Sequence, residues 1–215
     1  MSWPSKWGFG VPPLSQMFGF ARAIRALTET VLSLDAPAPE IDELVEQVTR
    51  VDQQLRARTA VTPATRVGKR SDDPTVRPYI DHSVHVGSFN PVFPEYAFTA
   101  IGPERAAGTV RFSLVYEGPP GIAHGGFIAV FFDLVISHHN ADVGVAGATK
   151  ALEIRYRRPT PLETTLRFEI SRAADDREIV SDATLCDGDT VLATARSTNV
   201  AGRRDKLPRF GVRSG

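Results

Sequence analysis

Gly118-Pro-Pro-Gly-Ile-Ala-His124-Gly125-Gly126-Phe127-Ile-Ala-Val-Phe-Phe-Asp133 is the stretch on which the fold of this 215-residue chain turns. Beyond the glycine pair, Phe127 to Ile136 is apolar but for Asp133. The apolar stretch around 124–139 is long enough for about four helical turns. A helix that is apolar on every side must be covered all round. What lies on either side of it in the chain has to supply that cover.

Outward from this helix the pattern changes to a period of two, as expected of strands. Tyr96–Ile101 and Gly108–Tyr116 read as two strands joined through Gly102-Pro103. After the helix come four strand-like runs, at about 148–158, 164–173, 177–186 and 190–200. The last two meet at Asp187-Gly188-Asp189, which contains an Asp-Gly hairpin signal. Val191, Ala193 and Ala195 alternate against Thr190, Thr194 and Arg196. Two strands, one buried helix and four antiparallel strands describe an α+β hotdog fold, a curved sheet wrapped around a central helix. A second subunit can cover what the sheet leaves open.

The N-terminal part is different. Residues 14–34 read as an amphipathic helix with Arg22 and Arg25 on its polar side. In the next helix Ile41, Leu44, Val45, Val48, Val51 and Leu55 form an apolar stripe, with Glu40, Asp42 and Glu43 in the first turn and Arg56 and Arg58 at the end. Residues 59–95 are rich in Pro, Gly, Ser and Asp and read as a surface linker. The expected organisation is a helical arm and linker over 1–75, a hotdog unit over 76–201 and a basic tail over 202–215. With 25 basic and 25 acidic side chains, the balance gives no reason to expect a nucleic-acid partner. No run reaches the roughly 20 apolar residues of a membrane span, so no membrane partner is expected. A single cysteine, Cys186, excludes an intrachain disulfide and a cysteine-rich metal site. It suits a reducing compartment, and the default expectation is a cytoplasmic protein.

Gly125 and Gly126 fall where the central helix begins, so their N–H groups have no partner within it. Without side chains in the way, a ligand oxygen can come close, and the dipole favours negative charge there. Free N–H groups aimed at a developing oxyanion are what acyl transfer requires; the plainer alternative is a tight Gly-Gly turn. Asp133 is the only ionisable residue between His124 and His138. Burying an unpaired carboxylate is costly, which argues for a chemical use or for the capping of a buried N–H. His124 and Asp133 are nine residues apart, roughly 13 Å along one helix. They cannot serve one carbonyl carbon within one chain. Two such helices, antiparallel across a two-fold axis, would bring the Gly125 N–H of one near Asp133 of the other. A working site therefore calls for a homodimer or a dimer of dimers.

The His-Gly-Gly turn, an acid nine residues on, a Thr and a strand ending in Arg-Pro resemble the hotdog acyl-CoA thioesterases of the PaaI-like superfamily. The string YEGPPGIAHGGFIAVFFD is similar to the branch that contains the carboxyl-terminal modulator protein. The similarity spans roughly residues 94–200. It implies hydrolysis of an acyl-CoA to free acid and coenzyme A, with coenzyme A part of the substrate and no cofactor or metal. It assigns Asp133 to activate water or attack the thioester, Thr149 to hold that water, the Gly125 N–H to polarise the carbonyl, and His124 to shape the turn. Other superfamily members carry an Asn six residues before the His as a second oxyanion donor; here that residue is Gly118.

Gly126 would join the substrate site, and Phe127, Val130, Phe131 and Leu134 would line an acyl channel or simply form core. Arg155, Arg157 and Arg158 would meet coenzyme A phosphates. His138 and His139 are expected to suit the helix C-terminal dipole. Strict alternation from Leu152, Ile154 and Tyr156 puts Thr149 on the wrong face of its strand unless a bulge intervenes. Two other readings are a hotdog hydratase or dehydratase and a non-catalytic acyl-CoA-binding dimer.

Overall fold

The apolar run becomes helix α4, Gly125–Asp142, and every later element is placed by the need to bury it. The structure is a computed structural model that describes residues 11–59, 65–66, 77–78, 80–144 and 148–201. The chain starts with α1 (Ser15–Leu32) and α2 (Pro39–Arg56), followed by β1 (Thr65–Arg66) and β2 (Arg77–Pro78), a short parallel pair. Then come α3 (Val86–Phe89), β3 (Tyr96–Ile101), β4 (Arg105–Arg111) and a 3-10 turn at Leu114–Tyr116. After α4 follow β5 (Thr149–Tyr156), β6 (Thr165–Ala174), β7 (Glu178–Asp187) and β8 (Thr190–Val200). The six longer strands form one antiparallel sheet in the order β3-β4-β6-β7-β8-β5. This is the hotdog architecture, with a helical part on its N-terminal side.

One face of the sheet grips α4. Leu166, Phe168 and Ile170 of β6 are buried, as are Ile179, Ala183 and Leu185 of β7, while their odd-even neighbours face out. Phe131, on α4, meets Phe112 and Phe168 edge-on, with ring centroids 5.7 and 5.4 Å apart. Full burial of such side chains contributes about 1.5–3 kcal/mol each. The last hairpin closes as expected: Asp187 pairs with Thr190, and Gly188 takes a φ of 54°, which suits glycine.

Four local expectations are corrected. The second strand is not Gly108–Tyr116 but Arg105–Arg111. Gly102 N–H bonds the Arg105 carbonyl at 2.9 Å, which starts β4 early. Glu163 then ends it, its N–H on Phe112 O at 2.8 Å and its carboxylate on Leu114 N–H at 3.1 Å, turning the chain into the 3-10 turn. The segment before β3 does not simply run over the surface. Val84, Val86 and Phe89 are buried, and Phe89 meets Phe18 of α1 at 6.3 Å.

Arg25 is not on the polar side of α1. It is 8% exposed, with its guanidinium on Gly87 O and near Glu95. His138 and His139 are not cations at a helix end. Both are buried, and burial lowers both pKa values, His138 to about 3. Their rings instead meet the Tyr96 phenol at 3.0 Å and the Gly102 carbonyl at 2.6 Å.

The apolar stripe of α2 stays largely open, with Val45, Val48, Val51 and Leu55 exposed. The basic tail after Gly202 and much of the expected linker lie outside the described residues. Among the described residues, no helix is long and apolar enough to cross a membrane.

Candidate active site

His124 is the N-cap of α4, with extended backbone (φ −64°, ψ 132°). Its own N–H is held by Tyr116 O at 2.8 Å. Its Nδ1 accepts the Gly126 N–H at 3.0 Å, which leaves the ring proton of the neutral imidazole on Nε2. At the other end of that same peptide, the Gly125 carbonyl accepts the Tyr156 phenol at 2.8 Å. The 125–126 peptide is thus clamped from both sides. The preceding peptide is held by its carbonyl, His124 O accepting Phe127 N–H at 2.9 Å and Ile128 N–H at 3.3 Å.

Two free N–H groups were expected from the sequence; one is used. Gly126 N–H is spent on the His124 ring, and Gly125 N–H alone makes no hydrogen bond among the described residues. It sits at the positive end of an 18-residue helix, where an oxyanion is favoured. The lead-in loop packs tightly against this cap. A Cβ on Gly118 would lie 2.9 Å from His124 Cα, so this position has no room for a side chain unless the cap shifts.

Asp133 lies two turns further along α4, roughly 12 Å from Gly125 by helical rise. It is half-buried, and its Oδ1 accepts the Thr149 hydroxyl at 2.9 Å. Thr149 in turn accepts the Asn199 amide N–H at 3.0 Å, and Asn199 Oδ1 accepts the Ser197 hydroxyl at 2.9 Å. The parity problem at Thr149 is solved by a bulge: Thr149 pairs with Asn199 and Ala151 with Thr198, which leaves Lys150 as the extra residue. One inserted residue returns Thr149 to the face that looks at α4.

Three participants escaped the sequence reading. Asn199 and Ser197 are 1% and 0% exposed on β8, and the Ala193, Ala195 alternation, continued, lands on both. A polar pair at inward positions was the available signal. Tyr156, at the end of β5, carried none beyond its place among the arginines.

The expected substrate residues divide. Phe127, Val130 and Leu134 are half-buried, whereas Phe131 is wholly enclosed by the core and cannot line a channel in this arrangement. Arg155, Arg157 and Arg158 are exposed around Tyr156, and Arg155 is paired with Glu153 at 2.8 Å. Asp133 with Thr149 and Gly125 with Tyr156 are each brought together, but the two pairs stay apart within one chain. Among the described residues, no group of three His, Cys, Asp or Glu side chains is placed to hold a metal ion.

The fold and this divided site define a hotdog protein with an acid on its central helix. No protein-family model matches the chain, and no curated protein matches its sequence. Solved structures do. A thioesterase superfamily protein is 26% identical with a TM-score of 0.70, over 88% of this chain and 97% of its own. Residues 94–201 are only about half the chain, so a match of that extent takes in the N-terminal helices as well. Thioesterase superfamily member 2 from Mus musculus is 15% identical (TM-score 0.47), over 50% of this chain and 82% of its own. A Streptococcus mutans protein crystallised with acetyl CoA is 21% identical (TM-score 0.48), over 51% of this chain and 91% of its own.

Proposed function

We propose that the protein is an acyl-CoA thioesterase that works as a homodimer or a dimer of dimers. The observation that carries the reading is the hydrogen bond between Thr149 and Asp133 on the open side of α4. It engages one carboxylate oxygen and leaves the other available to a water molecule. Thr149 already gives its proton to Asp133 and receives one from Asn199. Its part is therefore to orient the carboxylate, more than to hold the water.

The reaction runs on a second protomer's help. With two α4 helices antiparallel, the free Gly125 N–H of one faces the Asp133 of the other. β5 is an edge strand of the sheet, and pairing two such edges is the geometry that would bring this about. Asp133 takes a proton from water, whose oxygen attacks the thioester carbonyl carbon. The carbonyl electrons move onto oxygen, where the Gly125 N–H and the helix dipole hold the charge. Collapse breaks the C–S bond, and the proton on Asp133 passes to the departing thiolate. The products are the free acid and coenzyme A. Arg157 and Arg158, exposed just beyond the end of β5 and next in sequence to Tyr156, would be the residues to meet the coenzyme A phosphates, although Arg157 lines the outer face of the sheet beside Glu153 and Arg196.

Asp133→Asn keeps the size of the side chain and removes the base. It should fold normally and lose at least about a hundredfold in kcat, the usual contribution of general-base catalysis. The measurement is free-thiol release from a panel of acyl-CoAs. Turnover at the wild-type rate in a folded D133N protein refutes the assignment, and binding of acyl-CoA without thiol release by the wild type points to a carrier instead.

A further inference from the structure

Helix α2 has 18 residues, and none of them is buried. Ile41, Leu44, Val48, Val51 and Leu55 follow one another at alternating steps of three and four, the seam of a two-stranded coiled coil. Val45 widens the seam on one flank. Ile41 and Leu44 are half-buried, whereas Val45, Val48, Val51 and Leu55 are each at least 51% exposed. Ile41, Val45, Val48, Thr49 and Val51 are β-branched, so intrinsic preference for the helix is modest. A helix of this kind is held mainly by the packing of its apolar face. Among the described residues, that face stays open.

The stripe reads alike in both directions. Counting from Val48, apolar residues stand three away at Val45 and Val51 and seven away at Ile41 and Leu55. A two-fold axis at Val48 that lays one α2 antiparallel on another brings each apolar level against its counterpart. The charges run unevenly along the same helix. Glu40, Asp42, Glu43 and Glu46 fill its first half, and the second half carries Arg50 and Arg56 against Asp52, with Arg58 just beyond. An antiparallel pair sets the acidic half beside the basic half, whereas a parallel pair sets acid on acid. With five acidic and two basic side chains, α2 is unsuited to an anionic lipid surface. We propose that α2 is a docking surface for a second copy of this chain, the two α2 helices pairing antiparallel about Val48. The pairing uses neither α4 nor β5 and does not rest on thioester hydrolysis.

The test is disulfide crosslinking of the full chain in a Cys186→Ser background, where an introduced cysteine is the only one. Val48→Cys should join two chains under mild oxidation, because the two copies of residue 48 meet at the axis. Leu55→Cys should not. Antiparallel helices set its copies seven residues of rise to either side of the axis, roughly 21 Å apart in all, beyond the reach of a disulfide. Adding Val51→Glu to Val48→Cys puts a charge in the seam and should slow crosslinking at least about tenfold. Val51 is exposed, so the chain should keep its fold, which circular dichroism checks; should that variant lose helix, the two cysteine variants decide alone. The proposal is overturned if Val48→Cys gives no crosslinked dimer, the result expected where another protein or another part of the chain covers the stripe. It is also overturned if Leu55→Cys crosslinks as fast as Val48→Cys, or if folded Val51→Glu crosslinks at the full rate. None of these readouts needs turnover, so failure of the pairing and failure of the thioesterase reading are told apart.

Discussion

Thr149→Val removes one hydroxyl and little else, and the structure sets two separate costs for it. The first falls on Asp133. The lost bond, 2.9 Å long, has a charged acceptor, and such bonds contribute about 1.5–3 kcal/mol. Thr149 is exposed, so the lower end applies, about 1.5 kcal/mol, or roughly tenfold in rate if the bond is made fully in the transition state. A carboxylate released to rotate loses its alignment as well, and the expected fall in kcat is about 10- to 100-fold. The second cost falls on Asn199, whose side chain is 1% exposed. Its amide donates to Thr149 at 3.0 Å, and with valine opposite it that donor is left buried and unmet, at about 1–3 kcal/mol of stability. In a chain of this size that lowers Tm by about 2–4 °C per kcal/mol. Thr149→Ser retains the hydroxyl and should recover most of both. Thiol release gives the first quantity and a melting scan the second. A valine variant with kcat within about threefold of wild type would refute the positioning of Asp133 by this hydroxyl. An unchanged Tm would refute the dependence of Asn199 on it.

Two further outcomes concern stability. Gly108→Ala puts a methyl 2.2 Å from Ala97 O and 2.5 Å from the Phe168 ring, so β3, β4 and the core cannot all keep their places. The loss should reach or exceed the roughly 1–3 kcal/mol of ordinary overpacking, and a melting scan showing no change would contradict the packing. Burial, reinforced by His85 and His139, lowers His138 to about 3. Above pH ~6.5 the ring is neutral in folded and unfolded chains alike and has no effect. As pH falls from ~6.5 towards 3, the unfolded chain takes up a proton that the folded chain refuses. Stability therefore drops with falling pH, by at most about 1.4 kcal/mol per unit for this group. Between pH 7 and 5, His138→Gln should show a shallower fall in Tm than wild type; equal slopes would mean that this ring is not held neutral.

The central helix was legible because Phe127–Ile136 leaves no other way to bury itself, and β6 to β8 because their alternation is clean. What failed was set by contacts distant in sequence. The end of β4 is decided by Glu163, some fifty residues away, whose side chain carries no local sign of that role. Arg25 looked like a polar-face residue since nothing in α1 announces that Gly87 and Glu95 will close over it. At the site, Asp133 and the His124-Gly125-Gly126 turn stood out because each breaks a local rule: a carboxylate in an apolar helix, and two glycines at its start. The division of labour between the two glycines was invisible, because it depends on where the His124 ring and the Tyr156 phenol reach.

On the proposed reading, the open side of α4 ties chemistry to assembly. Asp133 is tolerated in an apolar helix because it is only half-buried, with one oxygen met by Thr149. On that side Val130 and Leu134 are also half-buried, so apolar surface remains to be covered. Water alone would leave that surface exposed, and a second α4 would cover it while delivering a Gly125 N–H. On the proposed reading, the pressure that closes the dimer and the donor that completes the site come from the same helix. A variant that disrupts pairing along β5 should therefore lose turnover in proportion to its loss of dimer, even with Asp133, Thr149 and Gly125 intact in every chain.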